Sequence, residues 1–273
     1  MIATIKAEWR KNRLRPAFLV ASGTLGALTV LFYLLNWYSA LHPAAADRGS
    51  VSILTLYPDQ FVNQVMGAAF PIGAAITIVV GAIYAGSEFG WGTLKTMFTQ
   101  RPGRLSVWAG RVAVFAVWMA ILTVVLFASG AVMSVVVASF QGYAIAWPAA
   151  VDIAKGMGAI WLIFAVNGTI GMALGVLIRQ SAAALGVGLI YVLAVEIIAV
   201  RFIDSINNGA YKWIGNLFVN QNATALAQSF TSPAFGRTAA ATIGAEQAVL
   251  VLVAYAVGLA IVAAGLLRLR DVT

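Results

Sequence analysis

Five stretches of the chain pass twenty or more residues without one charged side chain: Pro16 to Tyr38, Gln60 to Ser87, Val112 to Val151, Gly156 to Ile178 and Gln247 to Leu267. About 20 apolar residues let a helix cross the hydrocarbon core of a bilayer, so each window predicts a membrane span. A sixth, shorter window runs from Gln180 to Val195, meets Glu196 and continues apolar to Val200, predicting a span with one ionisable residue in its outer third. Of the 273 residues 62% are hydrophobic and 10% charged, less than half the roughly 25% charge of soluble domains. The expected fold is an all-α polytopic membrane protein, a single transmembrane domain over 1–273. Its spans are expected at about 16–38, 62–86, 107–138, 155–178, 181–203 and 247–267.

The window from Val112 is long enough for two spans, but its only internal break signal is Ser129-Gly130, and "SFQGYAIAWPA" from Ser139 is a better exit. One long helix from about Val107 to Ala138, tilted or extending past the membrane surface, is expected there. With no cysteine the chain offers neither a disulfide framework nor a thiolate metal site. No small-residue cleavage pattern follows Pro16 to Tyr38, so the first span is expected to stay in the mature protein.

The net charge of +8 invites a nucleic-acid reading, but its distribution points to topology. With the N-terminus inside, the inner segments hold Lys6, Arg10, Lys11, Arg13, Arg15, Lys95, Arg101, Arg104, Arg111, Arg179, Arg268 and Arg270, twelve of the seventeen basic residues. Arg48, Lys155, Arg201, Lys212 and Arg237 fall in outer loops that also carry acids. Lys and Arg excess marks the cytoplasmic side, so both termini are expected there, and no nucleic-acid partner is. Anionic lipid headgroups suffice to attract such clusters.

The first fifteen residues place Ile2, Ile5 and Trp9 on one helical face, with Lys6, Arg10, Lys11 and Arg13 elsewhere, predicting an interfacial helix over 1–15 with Trp9 at headgroup depth. Pro16 suits the first turn of the next helix. Pro71 should kink the second span, while Gly67, Gly73, Gly81 and Gly86, and in the fourth span Gly171 and Gly175, allow close helix approach. Asn167 is expected to bond across to a neighbouring helix, with a polar contact on a substrate path as the functional alternative. The longest non-spanning segment, 204–246, is extracytoplasmic on this topology, and "YKWIGNLFV" (Tyr211 to Val219) within it is amphipathic enough to sit in or dip into the outer interface. Asn222-Ala223-Thr224 fits a glycosylation tripeptide of a kind common by chance.

Catalytic readings lack parts. The single histidine, His42, sits beside a proline in an outer loop, so neither a buried nucleophile with a histidine base nor a histidine metal site can be assembled. No phosphate loop occurs; Gly90 to Thr96 reads "GWGTLKT", with Lys95 where the second glycine belongs. No catalytic or metal-ligating residue is expected, and the chain is not expected to be an enzyme. Glu196 is costly inside a span; it either reaches outer water or pairs with Arg201 or a neighbouring helix, or it marks a polar point on a substrate path.

The segment "SEFGWGTLKTMFTQRPGRL", from Ser87 to Leu105, breaks the apolar pattern. Gly90 and Gly92 each cost a helix roughly 1 kcal/mol relative to Ala, and Pro102 pushes Arg101 out of helical geometry. Between them Thr93 to Gln100 makes about two turns, roughly 12 Å, too short to persist in water alone. Its Leu94, Met97 and Phe98 side must therefore dock on the membrane surface or on a cytoplasmic protein.

The order of a basic amphipathic N-terminal helix, a span, an outer loop, a second span and "SEFGWGTLKT...QRPGR" resembles the permease subunit of ABC-2 type ABC transporters. "LGVLIRQSAAALGVG" (Leu174 to Gly188) is similar to the short hinge between spans four and five, and "LLRLRDV" to the usual basic ending. The resemblance implies that 87–104 is a coupling segment whose short helix seats in a groove of a separate ATP-binding subunit. Glu88 would engage the ATPase or the connecting helix, and Trp91, Thr93, Leu94, Lys95 and Phe98 would belong to the coupling surface. Ile5, Trp9 and Arg10 would belong to the interfacial connecting helix. Asn167 and Glu196 are the candidates for a substrate path. It further implies interfacial or re-entrant helices between spans five and six, a second permease chain (a homodimer or a related chain), and a bacterial-type inner membrane. On this resemblance no cofactor binds this chain, and ATP and Mg belong to the partner ATPase. The expected function is ATP-driven export of a hydrophobic or amphiphilic substrate. The competing readings are a stand-alone secondary transporter or channel, which would want interrupted half-helices in matching repeats, and a membrane scaffold.

Overall fold

The computed structural model describes residues 2–13, 15–42, 52–68, 70–90, 103–206, 211–230 and 243–269. All regular structure among the described residues is helical. In chain order the helices are α1 (Ile2–Arg13), α2 (Pro16–Leu41), α3 (Phe61–Ala68), α4 (Phe70–Gly90), α5 (Arg104–Phe140), α6 (Ala150–Ile178), α7 (Ser181–Ile190), α8 (Glu196–Ser205), α9 (Lys212–Gly215), α10 (Val219–Gln228) and α11 (Ala245–Leu269). Two 3-10 turns, Ile53–Leu56 and Pro58–Gln60, precede α3. A π turn, Tyr191–Val195, joins α7 to α8. Among the described residues, six helical runs are long and apolar enough to cross a bilayer: Pro16–Leu41, Ile72–Gly90, Leu105–Phe140, Ala150–Ile178, Ser181–Ser205 and Ala245–Leu269. The chain is an all-α polytopic membrane protein.

The second span runs past the end predicted for it at 86. Two helices, α3 and α4, occupy the region, and the spanning one runs on to Gly90. The 40-residue apolar window that begins at Val112 holds one helix, α5, which starts before it at Arg104 and runs for 37 residues. Span five carries the π turn in its middle, a feature without a residue signature.

Lipid offers helices no hydrophobic reason to associate, so close packing and interhelical bonds must hold the bundle together. The most extensive contact is between α4 and α6, and it is made by glycine. A Cβ on Gly171 would lie 2.8 Å from the Ala82 nitrogen and nearer still to the Ile78 carbonyl oxygen; one on Gly175 would lie 2.9 Å from the Gly86 nitrogen. Here the two backbones touch. Gly168, whose carbonyl meets Gly81 of α4, also receives the Phe115 ring of α5. Phe18, Leu25, Met119, Leu122, Ile160 and Phe164 fill the core between these helices. Indole N–H groups stitch α5 to its neighbours: Trp108 Nε1 donates to the Ala260 carbonyl of α11 at 3.0 Å, and Trp161 Nε1 donates from α6 to the Ala116 carbonyl at 3.0 Å.

At the end of the bundle away from α1, Tyr57 stacks on Tyr143 with centroids 3.9 Å apart, and Phe61 meets Trp147 edge-on at 5.6 Å. The non-helical stretch between α5 and α6 exposes Tyr143, Ile145 and Trp147, and tyrosine and tryptophan are the amphipathic residue types that favour the membrane–water boundary. Between spans five and six, α9 carries exposed Trp213, while α10 is buried and packs on α11. Asn222, in the glycosylation-like tripeptide, is fully buried, its Nδ2 donating to the Asn216 and Phe218 carbonyls at 2.8 Å each.

Gly171→Val is expected to force α4 and α6 apart, at about 1–3 kcal/mol or more for overpacking, and to lower the melting temperature of the detergent-solubilised protein. Gly23, beside which a Cβ meets nothing within 4 Å, should accept alanine without loss. Equal melting of the two variants would show that the α4–α6 seam is not close-packed.

Candidate functional site

The last turn of α4 carries an acid where the helix dipole disfavours one, since the C-terminal end of a helix is negative. Glu88 is also fully buried, and a carboxylate taken out of water is tolerated only when paired and hydrogen-bonded. Among the described residues, three cations from three places meet it. Lys11 of α1 places Nζ 2.7 Å from Oε2, Arg15 pairs through Nη2 with Oε1, and Arg111 of α5 places Nη2 3.8 Å from Oε1. Arg111 is 3% exposed, so this contact is inside the protein.

Local sequence explains how these groups converge. Arg15 precedes Pro16 and takes the extended conformation such residues favour, at φ −79° and ψ 125°. The chain turns there, with the Arg15 N–H held by the Asn12 carbonyl at 3.0 Å. Lys11 and Arg15 therefore both face α4, and Arg15 Nη1 also donates to Ser87 Oγ at 3.4 Å. Beneath Glu88, Tyr84 organises a second layer. Its hydroxyl donates to the Arg111 carbonyl at 3.2 Å and accepts from Asn12 Nδ2 at 3.4 Å, while Arg111 Nη2 donates to the Tyr84 carbonyl at 2.6 Å. The Arg111 guanidinium lies 4.8 Å from the centroid of the Tyr84 ring. Asn12 Nδ2 also reaches Glu8 Oε2 at 3.2 Å, and both residues are buried.

A fourth element closes the site. The hinge between α6 and α7 is only Arg179 and Gln180, and Arg179 turns the chain with a positive φ of 61°. A left-handed non-glycine residue costs roughly 1–2 kcal/mol, so packing must hold it there. The Arg179 guanidinium lies 5.8 Å from the Phe89 ring centroid, and a Cβ on Gly86 would lie 2.9 Å from the Ser181 nitrogen. The base of α4 is thus gripped by α1, α5 and the α6–α7 hinge immediately before the chain enters 91–102.

Of the residues singled out in the sequence, Glu88 is the centre of this site. Trp91, Thr93, Leu94, Lys95 and Phe98 lie outside the described residues. Trp9 stacks on Trp118 of α5 at 5.4 Å, Ile5 packs against the core, and Arg10 is exposed. Asn167, expected to bond across to another helix, instead donates Nδ2 to the Ile163 carbonyl of its own helix at 2.9 Å, the back-bond open to a short polar side chain in a helix. Glu196 is buried and accepts the Asn220 N–H of α10; no hydrogen bond joins it to Asn167. Tyr84, Arg111, Lys11, Arg15, Glu8 and Asn12 were not among the candidate site residues. One signal for them stood in the chain: Glu88 is the only acid between Asp59 and Asp152, and an isolated acid at a span end calls for a cation.

Glu88→Gln would leave Lys11, Arg15 and Arg111 facing one another over a neutral amide. Breaking a buried ion pair costs about 3–5 kcal/mol, and a clear fall in melting temperature is expected by size-exclusion after heating. Recovery in the double variant Glu88→Gln, Arg111→Met would confirm that uncompensated charge is the cause; no fall at all would mean that Glu88 is not the group holding the cations.

Comparison with curated proteins finds no match. A family model described as ABC-2 family transporter protein matches residues 4–195, a stretch that begins in α1, contains the whole Glu88 site and ends with the π turn of span five. This match covers more than half of the chain and the same order of elements that surrounds Glu88, and so the chain belongs to the ABC-2 transporter family, as its membrane-spanning permease.

Proposed function

We propose that the chain is the permease half of an ATP-driven exporter, working with a separate cytoplasmic ATPase that binds ATP and Mg, and paired with a second permease chain. The observation that supports this best is the Glu88 site. A helix end bound to three neighbouring elements is suited to pass on a force applied at residues 91–102, because displacing it must disturb α1, α5 and the α6–α7 hinge together. Trp91, Thr93, Leu94, Lys95 and Phe98 would form the surface that docks on the ATPase. In this reading Glu88 engages the connecting helix α1 through Lys11, one of the two alternatives that the resemblance leaves open, and Ile5 and Trp9 fix α1 to the bundle while Arg10 faces the lipid headgroups. ATP-driven closure of the ATPase pair would move the base of α4 and rock the spans between inward-open and outward-open arrangements.

The basic excess supports placing the Glu88 site and both termini in the cytoplasm, in a bacterial-type inner membrane. The buried α10 supports a re-entrant role for the helices between spans five and six. The apolar spans suit a hydrophobic or amphiphilic substrate.

Two experiments test this reading. Co-expression with the ATPase encoded nearest the permease gene should yield a complex. Glu88→Lys combined with Leu94→Asp should leave membrane insertion intact while uncoupling ATP hydrolysis from transport; transport at the unmodified rate would move the docking surface elsewhere, and absence of any ATPase partner would favour a stand-alone transporter. The lack of cysteine makes topology directly readable. A single cysteine at Arg10 should resist a membrane-impermeant maleimide in intact cells, and one at Trp147 should react. The reverse pattern would invert the assigned orientation.

A further inference from the structure

Between α6, α7 and α11 lies a groove of about 400 Å³, within the roughly 300–1,000 Å³ of small-molecule sites. Leu174, Leu177, Val187, Leu259 and Val262 contribute to its aliphatic walls, and among the described residues only Tyr191 and Tyr255 of its lining carry a polar side-chain atom. Leu177, Val187 and Val262 are 46, 48 and 57% exposed, so the groove opens sideways to lipid. Such walls alone would accept any hydrocarbon chain. What distinguishes the groove is the group behind Tyr191.

Glu196 follows Tyr191 by five residues, a spacing that an α-helix places on different faces. The intervening π turn, bonded i to i+5, brings the two near one face, close enough for Tyr191 to interact electrostatically with the Glu196 carboxyl and with Tyr255. Glu196 is 1% exposed. One carboxyl oxygen accepts the Asn220 N–H in the first turn of α10, and the other, Oε2, has no hydrogen-bond partner among the described residues. No ion pair to Glu196 is formed among the described residues; Arg201, on the same helix, is exposed. A buried carboxyl oxygen left without a donor is the complement of a cation that can be desolvated beside it.

The geometry points to a binding site for hydrophobic amines. The aliphatic or aromatic body lies along Leu174, Val187 and Leu259, and the ammonium donates to Glu196 Oε2 and to the Tyr191 and Tyr255 oxygens. The inference deepens the proposal of an amphiphilic substrate by naming its charge, yet it needs only the membrane fold and no ATPase. Because α10 is held by the other oxygen of the same carboxylate, a bound ammonium and the start of α10 share one acid.

The test uses the full chain alone in phosphatidylcholine nanodiscs, with dodecylamine bearing a mid-chain diazirine as the probe. Cross-links mapped by mass spectrometry should fall on α6, α7 and α11 at the groove. Unlabelled dodecylamine should displace the probe at a mole fraction about tenfold lower than dodecanol or dodecyl sulfate, the order of effect a close charge pair gives. Glu196→Gln, whose amide oxygen can still accept the Asn220 N–H, should erase that preference. Leu259→Trp should remove the labelling by filling the groove while leaving the carboxyl in place. Equal competition by all three chains, cross-links outside the groove, a preference that survives in Glu196→Gln or labelling that survives in Leu259→Trp would each overturn the assignment. Should Glu196→Gln not fold, Leu259→Trp and the competition series decide. Because no ATPase is present, failure here is separate from failure of the coupled-exporter reading.

Discussion

A carboxylate buried at the wrong end of a helix cannot stand without cations, and Glu88 draws Lys11, Arg15 and Arg111 from separate elements to one point. Much else at that end of the bundle follows from this demand. Without it, α1 would be a basic amphipathic helix free to lie anywhere on the bilayer surface. With it, α1 is fixed against α4 and α5, and Trp9 and Trp118 complete the contact by stacking. The ionic pairing is worth more as a constraint than as a source of stability, because desolvation offsets most of what buried charges gain from each other. What it specifies is which helix ends meet.

The second constraint is steric. α4 and α6 touch backbone to backbone at Gly81, Gly171 and Gly175, so the helix that carries Glu88 is also the one held most closely in the apolar layer. A load on the base of α4 thus has two rigid outlets, polar contacts at its end and a glycine seam along its length. The α6–α7 hinge connects them, since Ser181 abuts Gly86 two residues before Glu88.

The spans were legible because freedom from charge over twenty residues is a global property that survives local irregularity. The glycine pairs were legible for a similar reason: in lipid small residues are useful mainly where helices meet. The polar stripe of α1 was not. Glu8, Lys11 and Asn12 follow the i, i+3, i+4 spacing of one helical face, with Arg15 just beyond the helix end, but a search for apolar periodicity assigns polar residues to water, and here they turn inward. The π turn before Glu196 left no trace at all, because Tyr191 to Val195 is ordinary helix-compatible apolar sequence. Arg179 was legible as part of a short hinge but not as its left-handed residue, which tertiary packing imposes.

The length of α5 has a mechanical consequence. Its 37 residues extend about 55 Å, well beyond the roughly 30 Å hydrocarbon core, and no proline interrupts them. Arg111, bound to the base of α4, and Phe140, beside the aromatic contacts at the opposite end, are separated by about 44 Å of continuous helix. Such a rod acts as a lever: a tilt of about 5° at the ionic end displaces the far end by about 4 Å over that length, comparable to most of a helical turn. Span five, divided by its π turn, has no equivalent stiffness, so the two helices would answer the same push differently, one by swinging and the other by yielding at its middle.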